Sequence, residues 1–474
     1  MVSSYLKSLV SMIRQKQAGM VGNLLWVGLA GGFSWLLNSA VMIYAARAVG
    51  RDALGLLTFG LSVTSYATIL VNGGLLIWGV RAIAQTPQRA GALLVIVNGL
   101  QLLLAVVAYL ALVVVASAFF SAAERGIVLV CGVLLFAQAL SMQWVCMGLE
   151  RFRLLVLNQL GMNVVSLAMM VALVRQPADV ARVPLVMAGS QVGAAGVLLL
   201  LLYRQGVLRF GEVRWQQAGA IVRASLSLGV SGSMLVALRH ANTILLQVYH
   251  GPSVLGLFSA PYRLVEVLVT VVTVFANVFL PRLSALAVAS HARLMQLMYW
   301  YVRLMMSMAV LIGVVFVVEP HALLQLLYGE QFLPASDVLR AMGFAVVWSF
   351  AALTYMTGLL ATGKDRAYVV CIGVGLLLAL VGGGLLVPAY GLAGATAVVA
   401  SLDLALWLMS LPVFRRVMGS LLFAAWVWPL LAGGVLAGWL AGSAWWGMAF
   451  WLRLPLGMVL YGVLVVPWGM VRKV

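Results

Sequence analysis

Apolar runs long enough to cross a bilayer recur from one end of this chain to the other. Hydrocarbon roughly 30 Å thick needs about 20 apolar residues in a helix. Backbone N–H and C=O groups find no water there, so each run must bond within itself as a helix. The runs fall at approximately 21–46, 55–77, 91–118, 126–148, 154–174, 183–203, 219–249, 257–280, 297–318, 335–361, 367–387, 391–411, 421–440 and 445–468. They predict an all-α polytopic membrane protein with about fourteen transmembrane helices, or twelve if one helix pair is misassigned. Soluble domains carry about 25% charged residues. Here only 8% of 474 residues are charged, too few to cover a water-facing surface. A membrane β-barrel is excluded too, because its strands alternate in polarity.

Lys plus Arg is 29 and Asp plus Glu is 11, a net charge of +18. In a soluble chain that balance would suggest nucleic acid. In this one, basic loops that hold topology explain it better. With the N-terminus cytoplasmic, eighteen basic residues fall on the cytoplasmic side. Only Arg47, Arg51, Arg125, Arg175 and Arg182 fall on the other. The expectation is a multi-pass membrane protein with an even number of spans and both termini cytoplasmic. Cys131, Cys146 and Cys371 have neither disulfide nor metal-ligand spacing and read as small buried hydrophobes. Residues 1–20 lack an Ala-x-Ala cleavage signal and read as a cytoplasmic or interfacial segment, with no removed signal peptide expected. Segment 319–334 reads as the longest outer loop, its Leu323–Tyr328 part at the interface.

An internal similarity divides the rest. Leu54-Gly55-Leu56-Leu57-Thr58 resembles Leu255-Gly256-Leu257-Phe258-Ser259, and Gly50 matches Gly251 at the same offset. Six spans lie between the copies, which implies parallel repeats. The expected organisation is an N-terminal six-helix lobe at 21–205, a cytoplasmic linker at 206–218, a C-terminal six-helix lobe at 219–412, and helices 13 and 14 within 413–474. The two lobes would rock around a central site.

Ionisable groups inside spans are costly, about 2.5–3.5 kcal/mol each on insertion scales, and face protein or water. Arg239 and His240 lie in span 7, Arg263 and Glu266 in span 8, and Asp403 in span 12. Arg223, Arg303 and Arg453 sit nearer span ends. Arg263 and Glu266 are i and i+3, so they share a helix face. They form either a neutralising ion pair or an Arg263 held toward a vestibule by Glu266. Arg239 has no acidic residue three or four positions away and is the best candidate for contacting an anion. His240, beside Arg239, is a further candidate for the central substrate site. Asp403 is a candidate cation or proton site, or a helix–helix hydrogen-bonding group. Arg81, Arg151 and Arg153, at cytoplasmic span ends, fix topology or attract anionic phospholipid headgroups. Asn23, Asn38, Asn72, Asn98, Asn163 and Gln138 are accounted for by interhelical hydrogen bonds.

There is no P-loop, zinc-hydrolase helix motif or nucleophile elbow in the sequence. Carrier activity therefore fits better than bond-making chemistry.

Three stretches carry a family resemblance. The first includes Gly50, Leu54-Gly55, Asn72-Gly73-Gly74 and Gly79-Val80-Arg81. The second is Leu255 to Leu264, followed by Phe279-Leu280-Pro281-Arg282. The third includes Leu327-Tyr328-Gly329-Glu330-Gln331-Phe332, Ala361-Thr362-Gly363-Lys364 and Leu386 to Ala395. Together they resemble the polysaccharide biosynthesis family of membrane proteins, the O-antigen flippases and their relatives. The wider superfamily includes multidrug-and-toxin extruders and the lipid II flippase. The resemblance implies twelve to fourteen helices in two lobes enclosing a cationic cavity. It implies movement of undecaprenyl-pyrophosphate-linked glycans across the inner membrane, with coupling to H+ or Na+ and no bound cofactor. Polysaccharide polymerases and chain-length regulators are the partners it suggests. It makes Arg239 and Arg263 cavity candidates. Pro261 stands where a small residue is usual. Two other readings stay open: an exporter of small organic cations or drugs, and a non-transporting scaffold of a polysaccharide assembly complex.

Overall fold

In a computed structural model the described residues form helices joined by short turns. The structure describes residues 2–208, 215–418, 424–445 and 448–465. Within those stretches side chains are described from Phe33 onward, apart from Trp35, Gln217, residues 226–239, 417, 418, Ala424 and Trp445. The order is α1 Val2–Asn72, α2 Leu75–Gln85, α3 Ala90–Phe119, α4 Ala122–Ala139, α5 Gln143–Gly148, α6 Phe152–Leu173 and α7 Arg182–Arg204. Then follow α8 Ala218–Ala289, α9 His291–Val318, α10 Pro320–Leu327, α11 Ser336–Ala361, α12 Asp365–Met418, α13 Ala424–Trp445 and α14 Phe450–Val465.

Among the described residues, ten helical stretches are long and apolar enough to cross a membrane. Three of the helices contain a sharp bend, at Gly50 in α1, Gly251 in α8 and Gly391 in α12. Counting each limb of the three bent stretches, and the shorter apolar helix Phe450–Val465, brings the candidate crossings among the described residues from ten to fourteen. Gly50 has φ 80° and ψ 176°, and Gly251 has φ 79° and ψ 178°. That region is essentially closed to residues with a Cβ. The two glycines that align in sequence therefore make the same turn.

The chain divides into two compact units, one of residues 1–48 with 60–237 and one of 49–59 with 238–474. The dividing residues fall inside α1 and α8, not in a loop. In the first unit, α2 and α5 approach closely because glycines face bulky side chains. A Cβ on Gly79 would lie 2.7 Å from the Trp144 ring, and one on Gly148 would lie 2.8 Å from Ile83 Cβ. Leu75, Ile83, Val97, Trp144 and Leu198 make the core there. A capping box starts α4: Ser121 N–H donates to Glu124 Oε2 at 3.0 Å and Glu124 N–H to Ser121 Oγ at 3.4 Å.

In the second unit α13 and α14 pack on α9 around Val310, Val315, Leu436, Leu440 and Tyr461. The Tyr461 hydroxyl donates to the Ser307 carbonyl at 2.8 Å, and Arg303 Nη2 donates to the Val465 carbonyl at 3.0 Å. Segment 319–334, expected as an outer loop, is ordered in helical turns. It folds as α10 plus a 3-10 turn at Glu330–Ala335. Leu324, Tyr328 and Phe332 are buried against the protein.

The segment 49–59 belongs to the second unit because it meets its own sequence counterpart. A Cβ on Gly55 would lie 1.8 Å from the Pro252 carbonyl oxygen. A Cβ on Gly256 would lie 1.9 Å from that of Arg51. Between these contacts the Ser253 hydroxyl donates to Asp52 Oδ1. Each pair is reciprocal across the 201-residue offset, which is the pattern of a local two-fold relation.

Candidate functional site

Arg263 and Glu266 lie one turn apart on α8, in the limb that follows the Gly251 bend. Arg263 Nη1 donates to Glu266 Oε2 at 3.1 Å. The pair is partly open, with side chains 34% and 27% exposed. Arg263 Nε is buried and has no hydrogen-bond partner among the described residues. One edge of the guanidinium is thus neutralised locally while donors remain on the rest of it. Tyr328, from the packed segment after α10, lies within reach of both charges. Burial pushes its phenol up, Arg263 pulls it down and Glu266 pushes it up, with burial the largest effect. The phenol keeps its proton at neutral pH and stands as a neutral donor beside the pair. Phe258 stacks on Tyr262 at 5.2 Å and stiffens the turn that carries Arg263.

Asp403 is half-buried on α12 and accepts a hydrogen bond from the Ser349 hydroxyl of α11. Trp348 and Trp407, the neighbours of that pair, contact each other at 5.1 Å. Trp426 of α13 lies 5.5 Å from Trp407 and closes an aromatic cluster. His240 is half-buried on α8. The side chain of Arg239 lies outside the described residues, as do those of Asn23 and Trp26 and all of Trp446.

The basic residues expected at span ends lie in the first unit. Arg81 and Arg153 are exposed, and Arg151 is half-buried with its Nη1 on Gln205 Oε1.

Most polar side chains noted in the first lobe find interhelical partners. Asn163 Nδ2 donates to the Ser34 carbonyl at 2.8 Å, and Trp144 Nε1 donates to Asn98 Oδ1 at 3.2 Å. Gln101 Nε2 donates to Asn72 Oδ1, and Thr68 approaches Gln138, both at 3.4 Å. Sequence reasoning passed over Gln101, whose side chain is fully buried. A lone Gln in the apolar run 91–118 was the available signal.

It also placed Arg453 near a span end without its partner. Arg453 Nη2 contacts Glu319 Oε2 at 2.6 Å, with side chains 13% and 7% exposed. Burial raises the Glu319 carboxyl above its usual range, although the Arg453 guanidinium pulls it down. The two residues are 134 apart, so no local spacing could reveal the pair.

Among the described residues, no group of three His, Cys, Asp or Glu side chains is placed to hold a metal. All three cysteines are free and buried.

The family model described as polysaccharide biosynthesis protein matches residues 20–287, more than half of the chain. No curated protein sequence matches. Solved structures share the fold at low identity. A lipid II flippase, MurJ, in an inward closed conformation superposes with TM-score 0.67 at 10% identity, covering 93% of this chain and 98% of that one. An inward-facing multidrug resistance MATE transporter of the MOP superfamily gives 0.61 at 13%, covering 85% and 95%. The MATE multidrug transporter DinF-BH gives 0.57 at 14%, covering 83% and 95%.

Proposed function

Because the chain belongs to the polysaccharide biosynthesis protein family, we propose that it flips an undecaprenyl-pyrophosphate-linked oligosaccharide across the bacterial inner membrane. The family match over residues 20–287 carries this reading. The fold shared with a lipid II flippase agrees with it. The protein is a carrier, not an enzyme. It supplies O-antigen or a related surface polysaccharide and works by alternating access.

The physical task is to pass hydroxyls and a pyrophosphate through hydrocarbon, where unpaired polar groups cost several kcal/mol each. Arg263 offers charge-assisted donors to the pyrophosphate, and Glu266 orients it. Arg239 and His240 join it as substrate contacts, and Asp403 serves as the H+ or Na+ coupling group. Arg81, Arg151 and Arg153 hold anionic headgroups at the cytoplasmic surface. Fourteen spans with both ends cytoplasmic complete the reading. Two lobes at 21–205 and 219–412 and an appended pair at 413–474 follow from the internal similarity. A polysaccharide polymerase and a chain-length regulator are the partners proposed.

The test is deletion in the native host, with lipid-linked glycans identified by mass spectrometry after labelling with an impermeant reagent. Accumulation of one undecaprenyl-pyrophosphate glycan on the cytoplasmic side, reversed by reconstituted protein, is the expected result. An unchanged pool in a host without a redundant flippase would sink the reading. The second reading, export of organic cations, draws on the fold shared with multidrug transporters. It requires uptake of a cationic dye into inverted vesicles that depends on Glu266 or Asp403.

A further inference from the structure

Arg263 and Glu266 open a longer series on α8. The polar residues between 263 and 277 are Arg263, Glu266, Thr270, Thr273 and Asn277, and every other residue there is Val, Leu, Phe or Ala. Their spacings of three, four, three and four residues follow the helical period. At about 100° per residue, all five fall within an arc of about 80°. The stretch lies beyond the Gly251 bend and holds no proline, so the helix carries this register unbroken. It runs about 21 Å along the axis, roughly two-thirds of the hydrocarbon thickness.

The packed side lies well round the same helix. Val265, Val272 and Leu283 are buried, and Phe279 stacks on Tyr301 of α9 at 4.6 Å. The polar side is open: Arg263, Glu266 and Thr270 are half-buried, and Thr273 and Asn277 are exposed. Charged and polar groups on a membrane helix face protein or water, so an open polar face marks a water-filled space. The Thr270 hydroxyl donates to the Glu266 carbonyl and the Thr273 hydroxyl to the Val269 carbonyl, both at 2.9 Å. With those protons committed, each threonine oxygen presents its lone pairs as an acceptor. Asn277 adds an amide that both donates and accepts.

We propose, on the flippase reading, that Thr270, Thr273 and Asn277 form the sugar-binding part of the site and read hydroxyls of the glycan whose diphosphate is held at Arg263. Successive members stand about one helical turn, 5.4 Å, apart, so they meet successive hydroxyl groups of an extended glycan. An organic cation would be drawn to carboxylates or aromatic faces. Beyond Glu266 the polar arc carries neither. A site built to hydrogen-bond hydroxyls discriminates strongly against ligands that lack them. These three residues therefore set glycan preference, whereas Arg263 serves any lipid diphosphate.

The experiment uses the full chain in detergent with two probes: undecaprenyl pyrophosphate, and the same lipid carrying the native host's glycan. A ligand that binds the folded state raises the unfolding midpoint with its concentration, which gives an apparent affinity for each. The parent is expected to bind the glycan-bearing lipid more tightly. Thr273→Val, close in volume, and Asn277→Leu should each weaken that binding about three- to tenfold, the worth of one hydrogen bond. Binding of the bare lipid should stay unchanged. Thr273→Val serves alone should Asn277→Leu fail to fold. Equal affinity of the parent for both lipids, or variants that lose both alike or neither, overturn the sugar-binding role and leave the flippase reading standing. Binding of neither lipid by the parent sinks both. In membrane vesicles, Thr273→Cys and Asn277→Cys should react with a charged thiosulfonate, against a low background because the three native cysteines are buried. Failure of both to react from either side of the membrane also overturns the proposal.

Discussion

Arg453 enters α14 beside Glu319, and the pair is nearly sealed from solvent. Removing one member of a buried ion pair costs about 3–5 kcal/mol, because the other is left charged and alone. Arg453→Met is therefore expected to lower stability at neutral pH by an amount in that range. The pH dependence has a definite sign. Burial already raises the Glu319 carboxyl in the folded protein, and loss of Arg453 removes what pulls it down. A group raised on folding contributes its full stability below the unfolded value of about 4.3 and loses it as pH rises through the folded value. The variant should regain stability on acidification, and adding Glu319→Gln should flatten that response. Thermal unfolding in detergent across that range checks both. Arg263 and Glu266 are open enough for solvent to screen them, so their exchange should affect transport more than folding. Arg263→Gln is expected to lower flipping in vesicles while leaving the unfolding midpoint within about 1 kcal/mol of the parent. A matching loss of stability would assign the pair a structural role instead.

The bent helices show how two different constraints act on glycines of one motif. Gly251 has open space where a Cβ would go, but its φ is +79°. Gly256 has ordinary helical geometry, but its Cβ would meet the Arg51 carbonyl. Gly251→Ala should cost about 1–3 kcal/mol through backbone strain alone. Gly256→Ala should cost a similar amount through overpacking. Its sequence counterpart Gly55→Ala should match it, since the contact is reciprocal. Gly193→Ala, with nothing within 4 Å, serves as the tolerated control. Measured unfolding midpoints decide this. Equal tolerance of Gly256→Ala and Gly193→Ala would mean the bends do not touch in solution. Adjacent to this junction, His250 Nε2 lies 2.8 Å from the Val387 carbonyl. A Cβ on Gly391 would lie 3.1 Å from the same ring, so the bend in α12 also depends on a missing side chain.

For the molecule as a whole, α13 and α14 are bound into the second unit by Tyr461, Arg303 and Arg453 and by the apolar cluster on α9. Removing residues 424–474 should strip that cover from α9 and reduce folded yield. Tyr461→Phe, which loses a single hydrogen bond, should cost only about 1 kcal/mol. Size-exclusion profiles of detergent-extracted protein separate the two effects. Reporter fusions test the expected topology: tags after residue 153 and after residue 366 should both report the cytoplasm. An opposite location for either would overturn the charge-based orientation.

Apolar run length dictated helices, because hydrocarbon leaves the backbone no other way to satisfy its polar groups. The offset between Gly50 and Gly251 pointed to equivalent turns, and Arg263 and Glu266 were paired by helical spacing alone. These signals are local or periodic, so they survive in a linear reading. The contact of Gly55 with Pro252, the pairing of Glu319 with Arg453, and the burial of Gln101 join residues far apart in sequence. Lipid-facing and protein-facing helix surfaces are equally apolar here, so hydropathy carries no record of which face packs inward. Only the tertiary structure decides that, through the small residues that let particular backbones meet and the polar atoms that must then find partners.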